Sequence, residues 1–265
     1  MNQKYKFLIA LLIGSSINIY ANATQIKTLH YDFISEGKDI GDVTQRYIID
    51  GDKLVLTTNS RLKWSAWYAS VDLEELSIEV YSNKTKLEKS SYYLMDYDEG
   101  SLYLSSFKKI NDNYLINVFL NENIKKNINA FKQFSKQITN SKDVRKLNKA
   151  TLSTDMNEIA NKKISAKSFD TTENMLYLNL KYKLHTKIIQ SLSLSEVSID
   201  SINIKDLGMQ ELSINNKKFI CHHIKIISKE KEPSEIWITD EKSNLPYVVR
   251  LIGKDDTGKY ELLLK

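Results

Sequence analysis

The 265-residue chain carries 38 Lys and Arg against 33 Asp and Glu, a formal charge of +5, too small an excess to argue for nucleic-acid binding. A single cysteine, Cys221, excludes an internal disulfide, so the fold must be held by packing. Fifteen tyrosines, only two prolines and β-branched residues throughout favour β structure.

In chain order, Lys4 and Lys6 precede the apolar run from Phe7 to Ile13, and Ala21-Asn22-Ala23 follows, the pattern of an export signal cleaved after Ala23. The run is shorter than the ~20 residues a bilayer span needs, and no later stretch is long and apolar enough to replace it. The expectation is an exported, periplasmic chain over residues 24–265, one β domain, with no transmembrane span once the signal is removed. Lys4 and Lys6 account for two of the five excess charges.

Leu29, Tyr31 and Phe33 alternate with polar neighbours, Val43 to Ile49 alternates again, and Asp50-Gly51-Asp52 turns the chain into Lys53 to Thr58. Trp64, Trp67 and Tyr68 form an aromatic cluster compatible with a bulged strand or a short helix. Leu76 to Tyr81, Lys86 to Met95, Ser101 to Phe107 and Tyr114 to Leu120 read as further strands. At Asn121 the period changes. Ile124, Ile128, Phe131, Phe134 and Ile138 make an apolar stripe on a helix that Asn121 can cap, and a second, weaker helical stretch is predicted from Asp143 to about Lys163, with Leu152, Met156 and Ile159 on one side. From Asn121 to Lys167 there are 11 Lys or Arg against 4 Asp or Glu, so the basic charge is concentrated in this excursion. Strands resume at Leu176 and run through 187–194 and 197–204 into a closing meander, where Asn215-Asn216 marks a tight hairpin and turns around 242–244 and 255–258 separate the last strands. The fold class is therefore mainly β, a curved antiparallel sheet or open barrel built as a meander, with a helical insert at about 121–163. The insert is expected to lie across the inner face of that sheet, as a lid over a ligand space.

Chemical motifs are few. Strand alternation sends His222 to the face opposite Cys221 and His223, so one strand offers at most two ligands to a metal that needs three or four. His30 and His185 have no ligand spacing. There is no G-x-S-x-G elbow and no phosphate-cradling glycine loop, and the pairs Glu74-Glu75 and Asp255-Asp256 read as solvated surface. No catalytic residue, metal ligand or cofactor site is assigned, and the chain is not expected to be an enzyme. The aromatic residues are more suggestive: Trp64, Trp67 and Tyr68, with Tyr92, Tyr93, Tyr97 and Tyr103, could line a concave pocket, and the expected ligand-binding set is Trp64, Trp67, Tyr68, Phe131, Phe134 and Trp237.

Phe169-Asp170-Thr171-Thr172, Asp206-Leu207-Gly208, His223, Ile236-Trp237-Ile238-Thr239-Asp240, Leu245-Pro246 and Gly258 together resemble an exported bacterial family, the domain of unknown function 6134. The family usually shows Trp followed by Tyr and Asp where this chain has Trp237-Ile238-Thr239-Asp240, and it is shorter where this chain has its helices. The resemblance implies export and a β architecture, and the family brings no established activity. The last hairpins are also similar to those of periplasmic lipoprotein carriers, whose curved open sheet is closed by helices. Two functions follow as expectations: a non-enzymatic carrier for an amphipathic or lipid-like ligand, or an envelope scaffold that binds a protein partner through the basic helices. Peripheral membrane contact through Lys125, Lys126, Lys132 and Lys136 is compatible with both.

Overall fold

The computed structural model describes residues 24–66, 69–83, 85–122, 124–176, 188–229, 232–239, 246–255 and 258–265. Over these residues the chain first descends as a meander of β1 (Gln25–Ser35), β2 (Lys38–Asp50), β3 (Lys53–Ala66), β4 (Ala69–Ser82), β5 (Lys86–Asp96), β6 (Leu102–Ile110) and β7 (Asn113–Asn121). Helices α1 (Ile124–Asn140) and α2 (Val144–Lys149) follow, and β8 (Asn157–Ser165) ends this half. The second half is β9 (Thr171–Thr172), β10 (Ile188–Ser193), β11 (Ser198–Ile214), β12 (Lys217–Ser228), β13 (Ser234–Thr239), β14 (Val248–Asp255) and β15 (Gly258–Leu264). All belong to one open sheet in the order β8-β7-β6-β5-β4-β3-β2-β1-β15-β14-β13-β12-β11-β10-β9. Pairing is antiparallel except at the short β9. Asn215 and Asn216 both adopt the left-handed conformation (φ 49° and 62°), as the two-residue turn between β11 and β12 requires.

The first and last strands pair in the middle of the sheet, Tyr31 opposite Leu264 through Ser35 opposite Tyr260. The two edges, β8 and β9, are joined by the short stretch 166–170. In a flat sheet β6 and β10 would lie roughly 50 Å apart at the usual ~4.8 Å strand spacing. Instead the Tyr103 hydroxyl of β6 donates to Ser195 O at 3.0 Å and Ser105 Oγ to Leu194 O at 2.5 Å, both just past β10. The sheet is folded back on itself. Its inner apolar core joins Tyr47, Leu54, Leu56, Tyr81, Phe107 and Ile116 of the first half to Ile189, Ile202, Ile224, Ile236 and Val249 of the second.

Successive residues on β2 to β5 point alternately into two different cores. Ile48, Val55, Leu76, Ile78, Val80, Tyr93 and Met95 turn away from the second half of the sheet and meet Phe131, Phe134, Ile138, Val144 and Leu147 of the helices. The apolar stripe on α1 is present as its spacing predicts, but it packs on the outer face of the first half, where the sheet offers a largely apolar surface. The expectation of a lid over the inner face is corrected accordingly. Phe131 is fully buried, its ring 6.4 Å from that of Tyr93, and Phe134 lies 5.1 Å from the same ring.

The sheet also holds the helix ends. Arg46, 6% exposed, donates to the carbonyls of Ile138 (3.2 Å), Thr139 (2.5 Å) and Ser141 (2.7 Å), satisfying the orphan acceptors at the α1 C-terminus with a cation on their favourable side. Lys89 Nζ does the same for Asn148 O of α2 at 3.1 Å. Glu74 gathers Ser135 of α1, Asn59 (3.0 Å), Tyr97 (2.8 Å) and Arg61 (3.1 Å). Burial alone would raise its carboxyl, but these hydrogen bonds and the Arg61 charge outweigh it and hold the group below the ordinary carboxylate value.

Three local expectations are also corrected. Asn121 ends β7 rather than capping α1. The second helix stops at Lys149, and residues Asn157–Ser165 form strand β8, paired with β7 from Asn113 opposite Ser165 to Leu120 opposite Asn157. Eight of the nine β8 residues are exposed, so no burial pattern marked it as a strand, and Lys162 and Lys163 place charge on this open edge. Glu74 is not simply solvated surface, since it is the acceptor that ties α1 to the sheet.

Because α1 packs on a complete core, Phe131→Ala is expected to destabilise the whole protein by about 3–5 kcal/mol, read as a shifted but still single urea transition. Hydrogen exchange should show α1 as well protected as β11 and β12. A separate early transition confined to residues 124–149 would restore the lid.

Candidate functional site

On β4 the residues Ser77, Glu79 and Tyr81 alternate with the outward Leu76, Ile78 and Val80, and the fold-back carries all three into the interior. Glu79 is completely buried. Its Oε2 accepts from Thr172 Oγ1 at 2.6 Å and from the Tyr81 hydroxyl, and its Oε1 accepts from Asn174 Nδ2 at 2.7 Å. Tyr81 and Thr172 are themselves within hydrogen-bond distance at 2.8 Å, and Asn174 reaches Ser77 Oγ at 3.3 Å. Thr172 belongs to β9 and Asn174 to the helical turn at 173–176, so this carboxyl is where the two halves of the chain meet across the interior. Burial pushes the Glu79 carboxyl up, partly offset by the three hydrogen bonds, and no cation contacts it among the described residues. Burial and the neighbouring Glu79 together push the hydroxyls of Tyr81 and Tyr47 well above their usual range.

Other polar groups line the same inner face. Ser90, opposite Glu79 on β5, is fully buried with an Oγ that makes no hydrogen bond, and Thr58 Oγ1, opposite Ser77 on β3, is likewise buried and unbonded. Beside this network, where the sheet edges approach each other, lies a pocket of about 440 Å³. Its apolar walls are Leu87, Tyr114, Ala166 and Phe169, and Tyr81 and Thr172 connect it to Glu79. Tyr114 and Phe169 hold ring centroids 5.3 Å apart, and the Tyr114 hydroxyl donates to Leu87 O at 2.6 Å. Asp170 clasps β10 twice, its N–H on Gln190 O (2.8 Å) and its Oδ2 under Gln190 N–H (2.9 Å), which fixes the Phe169–Thr172 wall. The arrangement can hold an apolar group between aromatic walls and a hydrogen-bonding group at one end.

The structure disperses the aromatic set expected from sequence. Trp64 is on β3 and 36% exposed, Trp67 and Tyr68 lie outside the described residues, and Phe131 and Phe134 are in the outer core. Trp237 is buried on β13, stacked on His223 at 4.2 Å and donating Nε1–H to Gln210 Oε1 at 2.7 Å, with Arg250 5.3 Å over its ring. Tyr92 faces the interior beside Tyr103, whereas Tyr93 faces the helices and Tyr97 carries Arg61 and Lys132 over its ring. His223 hydrogen-bonds Glu235 at 2.9 Å, and Cys221 is fully buried, its thiol pushed up to about 11 by burial. No group of three or more His, Cys, Asp or Glu could hold a metal among the described residues. Neither Glu79 nor the pocket is marked by a sequence motif, although Phe169 to Thr172 belong to the residues that carry the family resemblance.

The Glu79 shift has a definite sign. A carboxyl with a folded-state value above its unfolded value leaves stability whole below the unfolded value, about 4.3, and lowers it as pH rises through the folded one. Glu79→Gln is therefore expected to gain in thermal midpoint relative to the parent between pH 4 and neutrality, roughly the range above the unfolded value. A difference that narrows as pH rises would contradict the buried, unpaired carboxyl. Comparison of the chain with known protein families, with curated proteins and with solved structures finds no match, so the reading of this site rests on its geometry.

Proposed function

We propose that this protein binds an amphipathic, lipid-like ligand without chemically transforming it, in the pocket between Leu87, Tyr114 and Phe169. The observation that carries the reading is the pairing of aromatic walls with a polar end, Tyr81 and Thr172 backed by Glu79, in a cavity of about 440 Å³. Binding sites for small molecules commonly have this division between apolar lining and a few placed polar groups. The apolar part of the ligand would lie against Phe169 and Tyr114, and its hydroxyl, amide or amine would meet the Tyr81–Thr172 end. Lys86 at the rim would favour an anionic group there.

The export pattern of residues 1–23 supports a periplasmic setting for such a carrier, and no helix among the described residues is long and apolar enough to cross a membrane. The resemblance to the domain of unknown function 6134 bears on the same place, since its Phe169-Asp170-Thr171-Thr172 segment forms a pocket wall. Purified protein is expected to retain an amphipathic molecule at about one per chain, detected by native mass spectrometry and organic extraction. Ala166→Trp, which fills the mouth from a partly exposed position, should reduce occupancy at least about tenfold, the scale of a lost well-packed group, with little change in thermal midpoint. An extract without ligand, or equal occupancy in the variant, would overturn the proposal.

A further inference from the structure

Two adjoining grooves run along the outer surface of the helices, of about 490 and 390 Å³, sharing Gln137, Lys146 and Ala150. The core residues Phe134, Ile138 and Leu147 lie buried beneath them, and Lys136, Arg145, Lys146 and Lys149 line them with charge. None of these four cations has a carboxylate partner among the described residues. The acid nearest in sequence, Asp143, spends its Oδ1 on the backbone N–H groups of Arg145 (2.8 Å) and Lys146 (3.3 Å).

A helix C-terminus normally attracts nearby cations and offsets part of their field. Here that capacity is already used from below. Arg46 occupies the terminal carbonyls of α1, and Lys89 takes Asn148 O of α2. The surface cations make no ion pair among the described residues, Asp143 being the single acid between them in sequence, and they stand on helices held by the core beneath.

We propose that this α1–α2 groove docks the protein on the anionic phosphate headgroups of a lipid bilayer. The charge favours that partner: the cations sit on long side chains spread over two helices, continued by Lys132 and Lys142 on the same segment, and they match a diffuse anionic plane without needing a shaped counterpart. The stems of the lysines and the arginine can lie along the helix surface while their charged ends meet the headgroups. The inference is independent of the interior pocket, which lies on the other face of the sheet.

The test is co-sedimentation of the signal-free protein with vesicles of phosphatidylcholine containing about 30 mol% phosphatidylglycerol, against phosphatidylcholine alone. Binding is expected only to the anionic vesicles and should fade as salt rises from about 0.05 to about 0.5 M. Lys146→Glu with Lys149→Glu should weaken it about thirtyfold or more, by the usual contribution of two surface cations. Lys162→Glu with Lys163→Glu, the same charge change on the β8 edge, should weaken it far less. Equal loss in the two double variants would show net charge rather than the groove at work and would overturn the proposal. So would displacement by inorganic phosphate at constant ionic strength, which would mark a single-phosphate site, or preferential displacement by polyglutamate, which would mark an acidic protein partner.

Discussion

The pairing of β1 with β15 is the constraint on which the rest of the structure depends. Among the described residues it is the only ladder between the two meanders, and it joins residues more than 220 positions apart, Tyr31 with Leu264 at one end and Ser35 with Tyr260 at the other. The seam is reinforced beyond its backbone hydrogen bonds. Lys265 reaches Asp32 at 2.7 Å and also Asp42, Glu36 Oε1 accepts from Lys259 N–H at 2.5 Å, and Phe33 stacks on Tyr260 at 5.9 Å. Tyr260 in turn lies over Gly253, where a Cβ would come within 2.3 Å of its ring, so the glycine is what lets the aromatic lie flat on the neighbouring strand. With the halves hydrogen-bonded at the seam and joined covalently at 166–170, the sheet can satisfy both connections only by folding back. Contacts of such sequence separation are costly to close, which makes the seam a natural late step in folding.

Fold-back gives the first half of the sheet two covered faces, and the helices resolve what would otherwise be a conflict. A strand such as Leu76-Ser77-Ile78-Glu79-Val80-Tyr81 has one apolar face and one polar face. Folding alone would press one of these against the second half and leave the other in water. The chain presses the more polar face inward and covers the apolar face with α1 and α2. The inner face is made tolerable by tyrosines and hydroxyls, which carry apolar bulk together with hydrogen-bonding capacity. The outer face then needs a helix pair at a fixed height, and Arg46, Lys89 and Glu74 set it from below.

This arrangement also explains what could be read in advance. The strands of the first meander, the α1 stripe and the Asn215-Asn216 hairpin are local features, written in alternation, period and turn chemistry, and they stand in the structure near their expected bounds except that β3 and β4 extend through the Trp64 region to meet at 66–69. Strand β8 was not legible because an edge strand with nearly all of its residues exposed has no period to display; its pairing with β7 is a backbone property. The position of α1 was not legible because periodicity says that a helix must bury a face and says nothing of which sheet surface receives it. Glu79 was hidden for a related reason. A carboxylate on the polar side of an alternating strand looks solvated until a distant segment, here Thr172 and Asn174, arrives to cover it.

The placement of Glu79 is energetically unfavourable in a way the rest of the interior is not. An ionised carboxyl buried without a cation is costly, and replacing buried ionic groups by apolar residues of similar volume often leaves a protein as stable or more so. Around it Ser90 and Thr58 add buried hydroxyls with no hydrogen bond, each an unfavourable desolvation of its own. Elsewhere the interior has aliphatic pairs across the fold and tyrosine hydroxyls satisfied by backbone carbonyls such as Tyr31 on Val248 O at 3.1 Å, with further unbonded buried polar atoms at Asn117 Oδ1 on β7 and Asn127 Nδ2 on α1. Departures from stability rules tend to collect where a protein has something to bind. In this protein three of them, at Glu79, Ser90 and Thr58, share one face of β3, β4 and β5, on the side from which Tyr81 and Thr172 open toward the pocket. Under the proposed ligand-binding function, this cluster beside an aromatic-walled cavity is where a ligand's polar group would offset the unfavourable burial.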